Sequence, residues 1–311
     1  MSTLYYSHPD FLGHDTGLGH PECAERLRVI DDALSAVQFS ELRRLSAPLP
    51  VDIEDKLALI HSAPMITHIL QGIPKQGFVY FDADTVASPG SGQAALRAVG
   101  AICDAVDQLC QGTAQSAFCA LRPPGHHAMP DYPMGFCLFN NVAIAAEYAR
   151  RHYQLDRIAI VDFDVHHGNG TQAAFYKQPQ VLYASSHQWP HYPGTGRPTE
   201  TGVGNIINVP LAAGCEGAEF RAQYLAHILP AVARFRPQLI LISAGFDAHR
   251  DDPLASLRLN EDDYRWVTER LVEIALESCQ GRVLSTLEGG YNLNALAASV
   301  AAHVAVLAGV D

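Results

Sequence analysis

The amino-acid sequence predicts an α/β protein in which a central, mostly parallel sheet lies between two layers of helices. Short β-branched or apolar runs alternate with longer segments of helical spacing along most of the chain. Several runs are apolar at every position, which is typical of strands buried on both faces of a sheet. Because parallel neighbours need crossover helices, this alternation favours a three-layer α/β/α sandwich.

Six strands and six helices follow one another along the chain. The strands are predicted at residues 3–6, 117–121, 158–163, 181–185, 238–243 and 283–287. The helices are predicted at residues 24–37, 92–110, 142–152, 218–235, 262–278 and 294–308. Asn260 or Glu261 is expected to begin the helix at 262–278. Pro64 and Pro89 are expected in turns, and Gly281 follows a helix end.

Length and charge limit the possible functions. The 311 residues contain no Pro-, Ser- or Gly-rich linker, which favours a single domain over residues 1–311. A chain of this length buries enough surface to fold without a metal, so any metal site is expected to be functional. The 33 acidic and 21 basic residues give a formal charge of −12 and form no basic cluster, which argues against direct nucleic-acid binding. Neutral or cationic partners are therefore expected.

Cysteine usage and the apolar stretches favour a cytoplasmic protein that does not enter a membrane. The seven cysteines are odd in number and form no C-x-x-C pair, as expected for reduced thiols. The N-terminal segment shows neither a charged leader nor an apolar core. The most apolar stretch, residues 293–310, carries Asn294 and His303 and is predicted to be a core helix.

Unusual polar residues follow the carboxyl ends of five predicted strands. These segments read R-P-P-G-H-H-A, D-V-H-H-G-N-G, S-S-H-Q-W-P-H-Y-P-G, A-G-F-D-A-H-R-D-D-P and E-G-G-Y-N. In an open parallel sheet, the carboxyl ends of the strands face one crevice in which ligands bind. The sequence therefore predicts a functional site at this edge of the sheet.

The segment 162–170, D-F-D-V-H-H-G-N-G, carries a candidate metal site. Residues two apart on an extended segment share a face, so Asp162, Asp164 and His166 point the same way. Asp164 and His166 can reach one cation, and Asp247, after another apolar strand, is the expected third ligand. This donor set suits Zn²⁺, and three protein ligands with an open position are typical of a catalytic site. An isolated D-x-D-x-H match more often stabilises a turn, but the glycines and Asp247 favour the metal.

The loop R-P-P-G-H-H-A places two adjacent imidazoles, His126 and His127, at the same edge. Its prolines and glycine fix the course of the backbone. Imidazole titrates near neutral pH, so one ring can take a proton from water and return it to a leaving amine. Asp162 and Asn169 are candidate partners that orient the rings. On these residues alone, a second metal site or a structural histidine pair is equally compatible.

Further segments supply candidate substrate contacts. Tyr291 follows two glycines, and its phenol can donate a hydrogen bond to a carbonyl oxygen that gains negative charge. Segments 134–141 and 189–196 place aromatic residues in Gly- and Pro-rich loops, as in narrow pockets that hold an alkyl chain. Packing of the loop is an equally good explanation for Trp189.

With these motifs in this order, the chain resembles the histone deacetylase superfamily, which includes acetylpolyamine amidohydrolases and acetoin-utilisation proteins. The resemblance rests on R-P-P-G-H-H-A, G-F-C-x-F-N-N, D-x-D-x-H-H-G-N-G-T-Q, P-G-T-G, A-G-F-D and E-G-G-Y, and it covers nearly the whole chain. G-H-P-E at residues 19–22, with Arg26, Asn169 and Gln172, is similar to the class II branch and its bacterial relatives.

The resemblance implies the arginase-deacetylase fold and specific roles for the candidate residues. The implied zinc ligands are Asp164, His166 and Asp247, and the implied catalytic residues are His126, His127 and Tyr291 with the orienting partners Asp162 and Asn169. The implied substrate contacts are Gly135, Phe136, Tyr192, Leu254, Gly290 and, in an internal cavity that releases acetate, Arg26. A structural K⁺ is implied near Asp162, Asp164, His166 and Ser185. Tyr192 stands where phenylalanine is commoner, and the short loop 188–192 leaves Trp189 and His191 without an assigned role.

The implied reaction is hydrolysis of an acetyl-lysine or a small acetylamine to acetate and the free amine. Zn²⁺ is the expected metal, and Fe²⁺ is an alternative in the cell. His127 is expected to act as the base, Tyr291 to bind the oxyanion, and His126, beside Asp162, to be the more cationic ring. The alternative substrate class is an acetylpolyamine or another small amide. Neither the physiological substrate nor the oligomeric state follows from the sequence.

Two other functions share part of the pattern. A binuclear manganese ureohydrolase needs bridging carboxylates, and Gly168 stands where one of them is expected. His249, two residues after Asp247, keeps this alternative open. A catalytically inactive module that binds acyl-lysine would have lost His127, Tyr291 or a metal ligand, and all of these are present.

Overall fold

A computed structural model describes residues 2–310, and its main feature is an eight-stranded sheet. The strand order is β2-β1-β5-β10-β9-β6-β7-β8. Every neighbouring pair in this sheet is parallel. The predicted α/β class with a central parallel sheet is therefore confirmed.

The elements have the following bounds. The strands are β1 (Thr3–Ser7), β2 (Arg43–Ser46), β3 (Val79–Tyr80), β4 (Val86–Ala87), β5 (Ser116–Cys119), β6 (Ile158–Asp162), β7 (Val181–Gln188), β8 (Ile206–Leu211), β9 (Leu239–Ala244) and β10 (Val283–Leu287). The helices are α1 (Glu25–Ala33), α2 (Ile53–Leu57), α3 (Ala63–Gly72), α4 (Ser91–Cys110), α5 (Asn141–Tyr153), α6 (Asn169–Phe175), α7 (Gly217–Gln223), α8 (Leu229–Phe235), α9 (Glu261–Cys279) and α10 (Leu293–Ala308). The short β3 and β4 form an antiparallel hairpin apart from the main sheet.

The central strands explain the continuous apolar runs of the sequence. Every residue of β6, β9 and β10 is buried, because helices cover both faces of the sheet. Helices α4 and α5 pack together on one face, while α1, α10, α9 and α8 form a row on the other. This arrangement is the predicted three-layer sandwich.

The connections place a ligand crevice between β6 and β9. These strands are neighbours in the sheet, but the chain continues from β6 into α6, beside α5, and from β9 into α9, beside α10. The two connections therefore leave toward opposite faces of the sheet. Such a switch point opens a crevice at the carboxyl ends of the strands, which is where α/β proteins bind ligands.

Several elements differ from the prediction. The strands β2, β3, β4 and β8 and the helices α2, α3 and α6 were not predicted. Pro64 lies in the first turn of α3 rather than in a turn between elements, since a missing N–H is tolerated there. The predicted helix at 218–235 contains a π-helical turn at Tyr224–Ile228, followed by Pro230, which cannot continue the hydrogen-bond ladder. Asn260 rather than Glu261 caps α9, through a capping box with Asp263.

The apolar C-terminal stretch forms α10, whose side chains pack against β5, α1 and α9. Buried residues occur along its whole length and include Leu296, Val300, His303 and Val304. Within residues 2–310, no helix is both long and apolar enough to cross a membrane.

Candidate active site

The polar residues predicted at strand ends converge at the carboxyl edge of the sheet. Asp162 is the last residue of β6, and Asp164 and His166 lie in the turn that follows. Asp247 lies in the loop after the neighbouring β9. The two histidines come from the loop after β5, and Tyr291 comes from the loop after β10. Four strands of the sheet thus contribute to one cluster.

Asp164, His166 and Asp247 form a group that can hold a metal ion. Their ligand atoms lie within 4.8 Å of one another, and no other such group of three occurs among residues 2–310. Nδ1 of His166 lies 3.1 Å from Oδ1 of Asp164 and 3.1 Å from Oδ2 of Asp247. Burial alone would lower the pKa of His166, but the two carboxylates outweigh it and raise this pKa to about 10. The site therefore strongly favours positive charge between the carboxylates.

Backbone N–H groups hold the outer oxygens of both carboxylates. The N–H of Gly289 donates to Oδ2 of Asp164 at 2.8 Å, and the N–H of Val165 donates to Oδ1 of Asp247 at 2.8 Å. A Cβ atom at residue 289 would lie 2.0 Å from Oδ2 of Asp247, so glycine is required for this close approach. The oxygens that remain are those that face His166.

His126 is held by carboxylates. Its Nδ1 lies 3.1 Å from Oδ2 of Asp162, which also accepts a hydrogen bond from the Tyr183 hydroxyl at 3.0 Å. Its Nε2 lies 3.8 Å from Oδ1 of Asp164. Burial lowers the pKa of His126, but Asp164 and Asp162 outweigh this effect and raise the pKa to about 10. The predicted pairing of His126 with Asp162 is present in the structure.

His127 has a neutral partner instead. Its Nδ1 lies 2.8 Å from Oδ1 of Asn169, and the centroid of its ring lies 4.0 Å from that of His126. Burial and the neighbouring His126 and His166 rings lower the pKa of His127 well below its usual range. Two adjacent histidines therefore differ in charge, one cationic and one neutral.

Glu288 fixes the histidine loop, a contribution that the sequence analysis did not assign. Its Oε2 accepts hydrogen bonds from the backbone N–H groups of Gly125 at 2.7 Å and His126 at 3.1 Å. Its Oε1 accepts one from the Ser243 hydroxyl at 2.9 Å. Burial raises the pKa of Glu288 to about 7. The signal was available, because Glu288 directly follows an apolar run of the sequence, at the kind of strand end where the other candidate site residues were found.

A cavity of about 240 Å³ opens above the cluster. It is lined by His126, His127, Gly135, Phe136, His166, Tyr192, Leu254 and Tyr291 among the predicted residues, and also by Asp84, Pro124, Cys137, His191 and Gly289. Gly135 has a positive φ of 56°, and a Cβ there would lie 2.5 Å from the His127 ring. The Phe136 and Tyr291 rings meet edge to face at 5.9 Å. The result is a narrow pocket with aromatic walls and polar groups at its base.

Tyr291 is anchored from two directions. Its backbone N–H donates to Oδ2 of Asp252 at 2.7 Å, and the Arg26 guanidinium lies 5.0 Å from its ring centroid. Burial and the nearby Asp247 raise the pKa of Tyr291 well above its usual value, so the phenol stays protonated. The role of Asp252 as an anchor was not predicted.

Seven predicted residues lie outside the lining of this cavity: Asp162, Asp164, Asn169 and Asp247, described above, and Arg26, Gly290 and Ser185. Arg26 is fully buried, and its Nε donates to the carbonyl of Gly290 at 2.7 Å. Ser185 is paired with Asp162 in the register of β7 and β6, and its hydroxyl lies 2.9 Å from Nδ1 of His187. These residues form a layer around the site rather than its surface.

The short loop after β7 places its two unassigned residues in different surroundings. The His191 ring stacks on His166 at 5.1 Å with an interplanar angle of 20°, and it lines the cavity. Trp189 instead packs beside Arg197, whose guanidinium lies 5.7 Å from the indole ring. Only His191 thus contributes to the pocket.

The surroundings of Gly168 and His249 bear on the alternative of a binuclear metal site. A Cβ at Gly168 would lie 2.4 Å from Oδ2 of Asp162 and 2.5 Å from the Tyr183 hydroxyl, so no carboxylate fits there. His249 does not belong to the group of three that could hold a metal ion, and its Nε2 lies 3.5 Å from Oε1 of Glu261.

Comparison with known proteins finds similarity to histone deacetylases over most of the chain. A model of the histone deacetylase domain matches residues 20–307. The rice protein named histone deacetylase 10, chloroplastic, is 39% identical over an alignment of 318 positions with gaps. This alignment covers 96% of this chain and 71% of the relative. A histone deacetylase-like amidohydrolase of Pseudomonas aeruginosa is 37% identical over 279 residues, which cover 88% of this chain and 73% of the relative.

A solved structure extends this similarity to the fold. The crystal structure of the HDA15 HD domain superimposes with a TM-score of 0.93 and 34% identity, covering 99% of this chain and 88% of that one. The arginase-deacetylase fold that the resemblance implied is therefore confirmed. The chain belongs to the histone deacetylase family of deacetylases and amidohydrolases.

Proposed function

We propose that this protein is a metal-dependent deacetylase that removes acetyl groups from lysine side chains. One observation carries the proposal. Nδ1 of His166 lies 3.1 Å from carboxylate oxygens of both Asp164 and Asp247, at the base of a cavity that also exposes His127 and Tyr291. A metal site, a basic imidazole and a phenol donor in one narrow pocket are the parts needed for amide hydrolysis.

The donor set fits Zn²⁺, with Fe²⁺ as the alternative in the cell. One imidazole nitrogen and one oxygen from each of the two carboxylates are close enough to share a cation, and backbone N–H groups of Gly289, Val165 and His166 fix the carboxylates in place. A set of three protein ligands leaves coordination positions open for reactants. When bound, the metal would supply Lewis acidity toward water and the acyl carbonyl.

His127 is the proposed general base. The Asn169 oxygen accepts from Nδ1 of His127, so Nε2 carries no proton and can receive one from the attacking water. The lowered pKa of His127 keeps the ring neutral before the reaction. The same nitrogen then protonates the departing amine, which releases acetate and the free lysine.

His126 is the proposed electrostatic partner. The Asp162 carboxylate raises the pKa of His126, which favours the protonated ring, and it orients that ring. A cation at this position stabilises the negative charge that develops on the acyl group. The proton that moves during the reaction is therefore assigned to His127 and not to His126.

Tyr291 is the proposed oxyanion donor, and the aromatic walls hold the lysine stem. The protonated phenol can donate to the acyl oxygen as negative charge develops. Phe136, Tyr192 and Leu254 line the cavity above it and would contact the methylene groups, beside Gly135. Around this pocket, Arg26 and Gly290 are proposed for acetate release, and Asp162, Asp164, His166 and Ser185 for a structural K⁺.

Acyl-lysine is proposed as the substrate class in preference to acetylpolyamines. Leu254 is an apolar residue in the cavity lining, where a glutamate would attract a polycation. A small-molecule amidohydrolase remains the alternative. The ureohydrolase alternative is disfavoured, because the space at Gly168 excludes a bridging carboxylate. We also propose that residues 1–311 act as one domain and that the protein works in the cytoplasm.

Metal content and turnover test the proposal together. The protein is loaded with Zn²⁺, Fe²⁺ or Mn²⁺, the metal per chain is measured, and rates are compared on acetyl-lysine peptides, acetylspermidine and acetylputrescine. We expect about one metal ion per chain and the highest kcat/KM on the peptides. Two manganese ions per chain, or no hydrolysis of any acetyl-lysine peptide, would contradict it.

A further inference from the structure

A second groove lies beside the catalytic cavity. It has a volume of about 550 Å³ and lies between residues 16–21 and the β3–β4 hairpin. Its walls include Leu18, Pro21, Phe78 and Tyr80, which are apolar or aromatic. Asp84 and Phe136 line both this groove and the cavity, so the two spaces share a wall.

The groove exposes large apolar side chains that add nothing to the core. The Leu18 side chain is fully exposed, Tyr80 is 64% exposed and Phe78 is 46% exposed. Leu18 stands between Gly17 and Gly19, which have φ values of +92° and +81°. Such backbone angles are strained for other residues, so the glycines fix the turn at whose tip Leu18 is exposed. Clustered exposed apolar groups of this kind mark interaction sites.

Residues that form the groove contact Phe136, which lines the catalytic cavity. The His20 ring meets the Phe136 ring edge to face at 4.7 Å, and its Nε2 lies 3.3 Å from the carbonyl oxygen of Asp84. The backbone N–H of Phe136 donates to the Thr85 hydroxyl at 3.1 Å. These contacts link residues 16–21, the hairpin and the cavity wall, so the groove is formed before any ligand binds.

The position of the groove identifies its occupant. A lysine side chain in the cavity leaves its own main chain at the mouth, and the next Cα along a peptide is 3.8 Å away. The side chain of an adjacent residue can therefore reach the groove that starts at Asp84 and Phe136. A small acetylamine has no such group and would leave the groove untouched.

We propose that this groove binds a large apolar or aromatic side chain next to the acyl-lysine in a protein substrate. The inference rests on the proposed function and narrows its substrate class to lysines with such a neighbour. Residues 16–21 and the hairpin thereby select the sequence around the acyl-lysine, while the cavity selects the acyl-lysine itself.

The test compares three acetyl-lysine peptides that carry Phe before the modified lysine, Phe after it, or Ala on both sides. Acetyl-lysine with blocked termini serves as a substrate that cannot reach the groove. Leu18→Ala and Tyr80→Ala remove groove contacts, and Leu276→Ala, at a 46% exposed leucine in α9, is the matched control. Binding of each peptide is measured separately by fluorescence anisotropy, and the oligomeric state by sedimentation.

We expect one Phe peptide to have about tenfold higher kcat/KM than the Ala peptide, mainly through KM. Leu18→Ala and Tyr80→Ala should remove this preference without changing the rate on blocked acetyl-lysine, and Leu276→Ala should retain it. A preference that survives both groove substitutions overturns the inference. So does a change of oligomeric state in Leu18→Ala with an unchanged preference, because the groove would then be an interface between copies.

Failure of the proposed function gives a different result. In that case blocked acetyl-lysine is not hydrolysed by any preparation. The anisotropy data still decide the inference. Weaker binding of the Phe peptide to Leu18→Ala, but not to Leu276→Ala, supports the groove, and equal binding to both overturns it.

Discussion

Nδ1 of His127 lies 2.8 Å from the side-chain oxygen of Asn169, whose amide nitrogen faces the sulfur atoms of Met129 and Met134. This orientation of the amide makes the oxygen the acceptor and Nδ1 the donor. Beside it, His126 pairs with the carboxylate of Asp162. The two rings share one loop, and their different partners give them opposite preferences for a proton.

Asn169→Asp should shift the pH dependence of catalysis. A carboxylate beside Nδ1 favours the charged ring, so the pKa of His127 should rise by about 1 to 3 units. Because a general base must be unprotonated, the acidic limb of kcat/KM should move to higher pH. The profile is measured from pH 5 to 9 at constant metal content. An acidic limb at the wild-type position would contradict the role of His127 as the base.

Asp247→Ala should abolish both metal binding and activity. A mononuclear site with two remaining protein ligands loses affinity and geometry. Elemental analysis should show metal near zero per chain, and turnover should fall below detection. Asp251→Ala is the control, because that side chain is 62% exposed and lies outside the metal-binding group. Full zinc occupancy in Asp247→Ala would refute the ligand assignment.

Tyr291→Phe should lower kcat far more than it raises KM. The lost hydrogen bond strengthens only as charge develops, and one such donor is worth about 10²–10³ in kcat. The ring and its contacts with Phe136 and Arg26 remain, so zinc content and folding should be unchanged. Tyr192→Phe, which alters another ring of the cavity, should keep kcat within about threefold of the wild type. Normal turnover in Tyr291→Phe would leave the residue with a packing role only.

Leu254→Glu should shift specificity toward polycations. A carboxylate in the cavity lining would attract acetylspermidine, so its kcat/KM relative to an acetyl-lysine peptide should rise about tenfold. The gain should shrink at high salt, which screens the attraction. Leu254→Gln has a similar shape without the charge and should show no such gain. A wild-type enzyme that already prefers acetylspermidine would overturn the assigned substrate class.

His303 should make folding sensitive to acid. The ring is buried in α10 between the hydroxyls of Thr268 and Ser285, and burial lowers its pKa to about 3. The unfolded chain has the ordinary histidine pKa of about 6.5, so it binds more protons between these values. The stabilisation is thus complete above about pH 6.5 and is lost as the pH falls toward 3, by about 2 kcal/mol at pH 5 for this one group.

Urea unfolding at pH 7 and pH 5 measures this effect. His303→Gln should be less stable than the wild type at pH 7 but should lose less free energy of unfolding on going to pH 5. Part of the pH dependence should persist, because burial also lowers the pKa values of His61 and His187 to about 4. An identical loss in both proteins would contradict the assignment to His303.

The sequence predicts the central strands of the sheet well, because burial on both faces requires apolar residues at successive positions. The strands β6, β9 and β10 are buried on both faces, so they appear as continuous apolar runs. The edge strand β2 has the sequence R-R-L-S and is mostly exposed, so it carries no such run. Short helices such as α2, with five residues, bury too little surface to show a clear period.

Some residues of the candidate site can likewise be predicted from the sequence, and others cannot. Residues at the carboxyl ends of central strands could be grouped from topology alone, and the structure brings Asp164, His166 and Asp247 together. Glu288 and Asp252 act through hydrogen bonds to the backbone of other loops, and a sequence does not show which N–H group a carboxylate will face. The apolar groove was also missed, because Leu18 and Tyr80 are far apart in the sequence and line one groove only in the folded chain.

The spacing of the metal-binding group along the chain sets an order of events during protein synthesis. His166 and Asp247 are 81 residues apart, and the Gly289 N–H that holds Asp164 comes 125 residues after it. A growing chain that ends soon after β6 therefore contains the candidate ligands Asp164 and His166. It lacks the third ligand, Asp247, and the Gly289 N–H group that holds Asp164. The candidate metal pocket, with its supporting hydrogen bond, is complete only after Gly289 has been made. Binding of a metal ion by all three candidate ligands is therefore expected only after Gly289 has been synthesised.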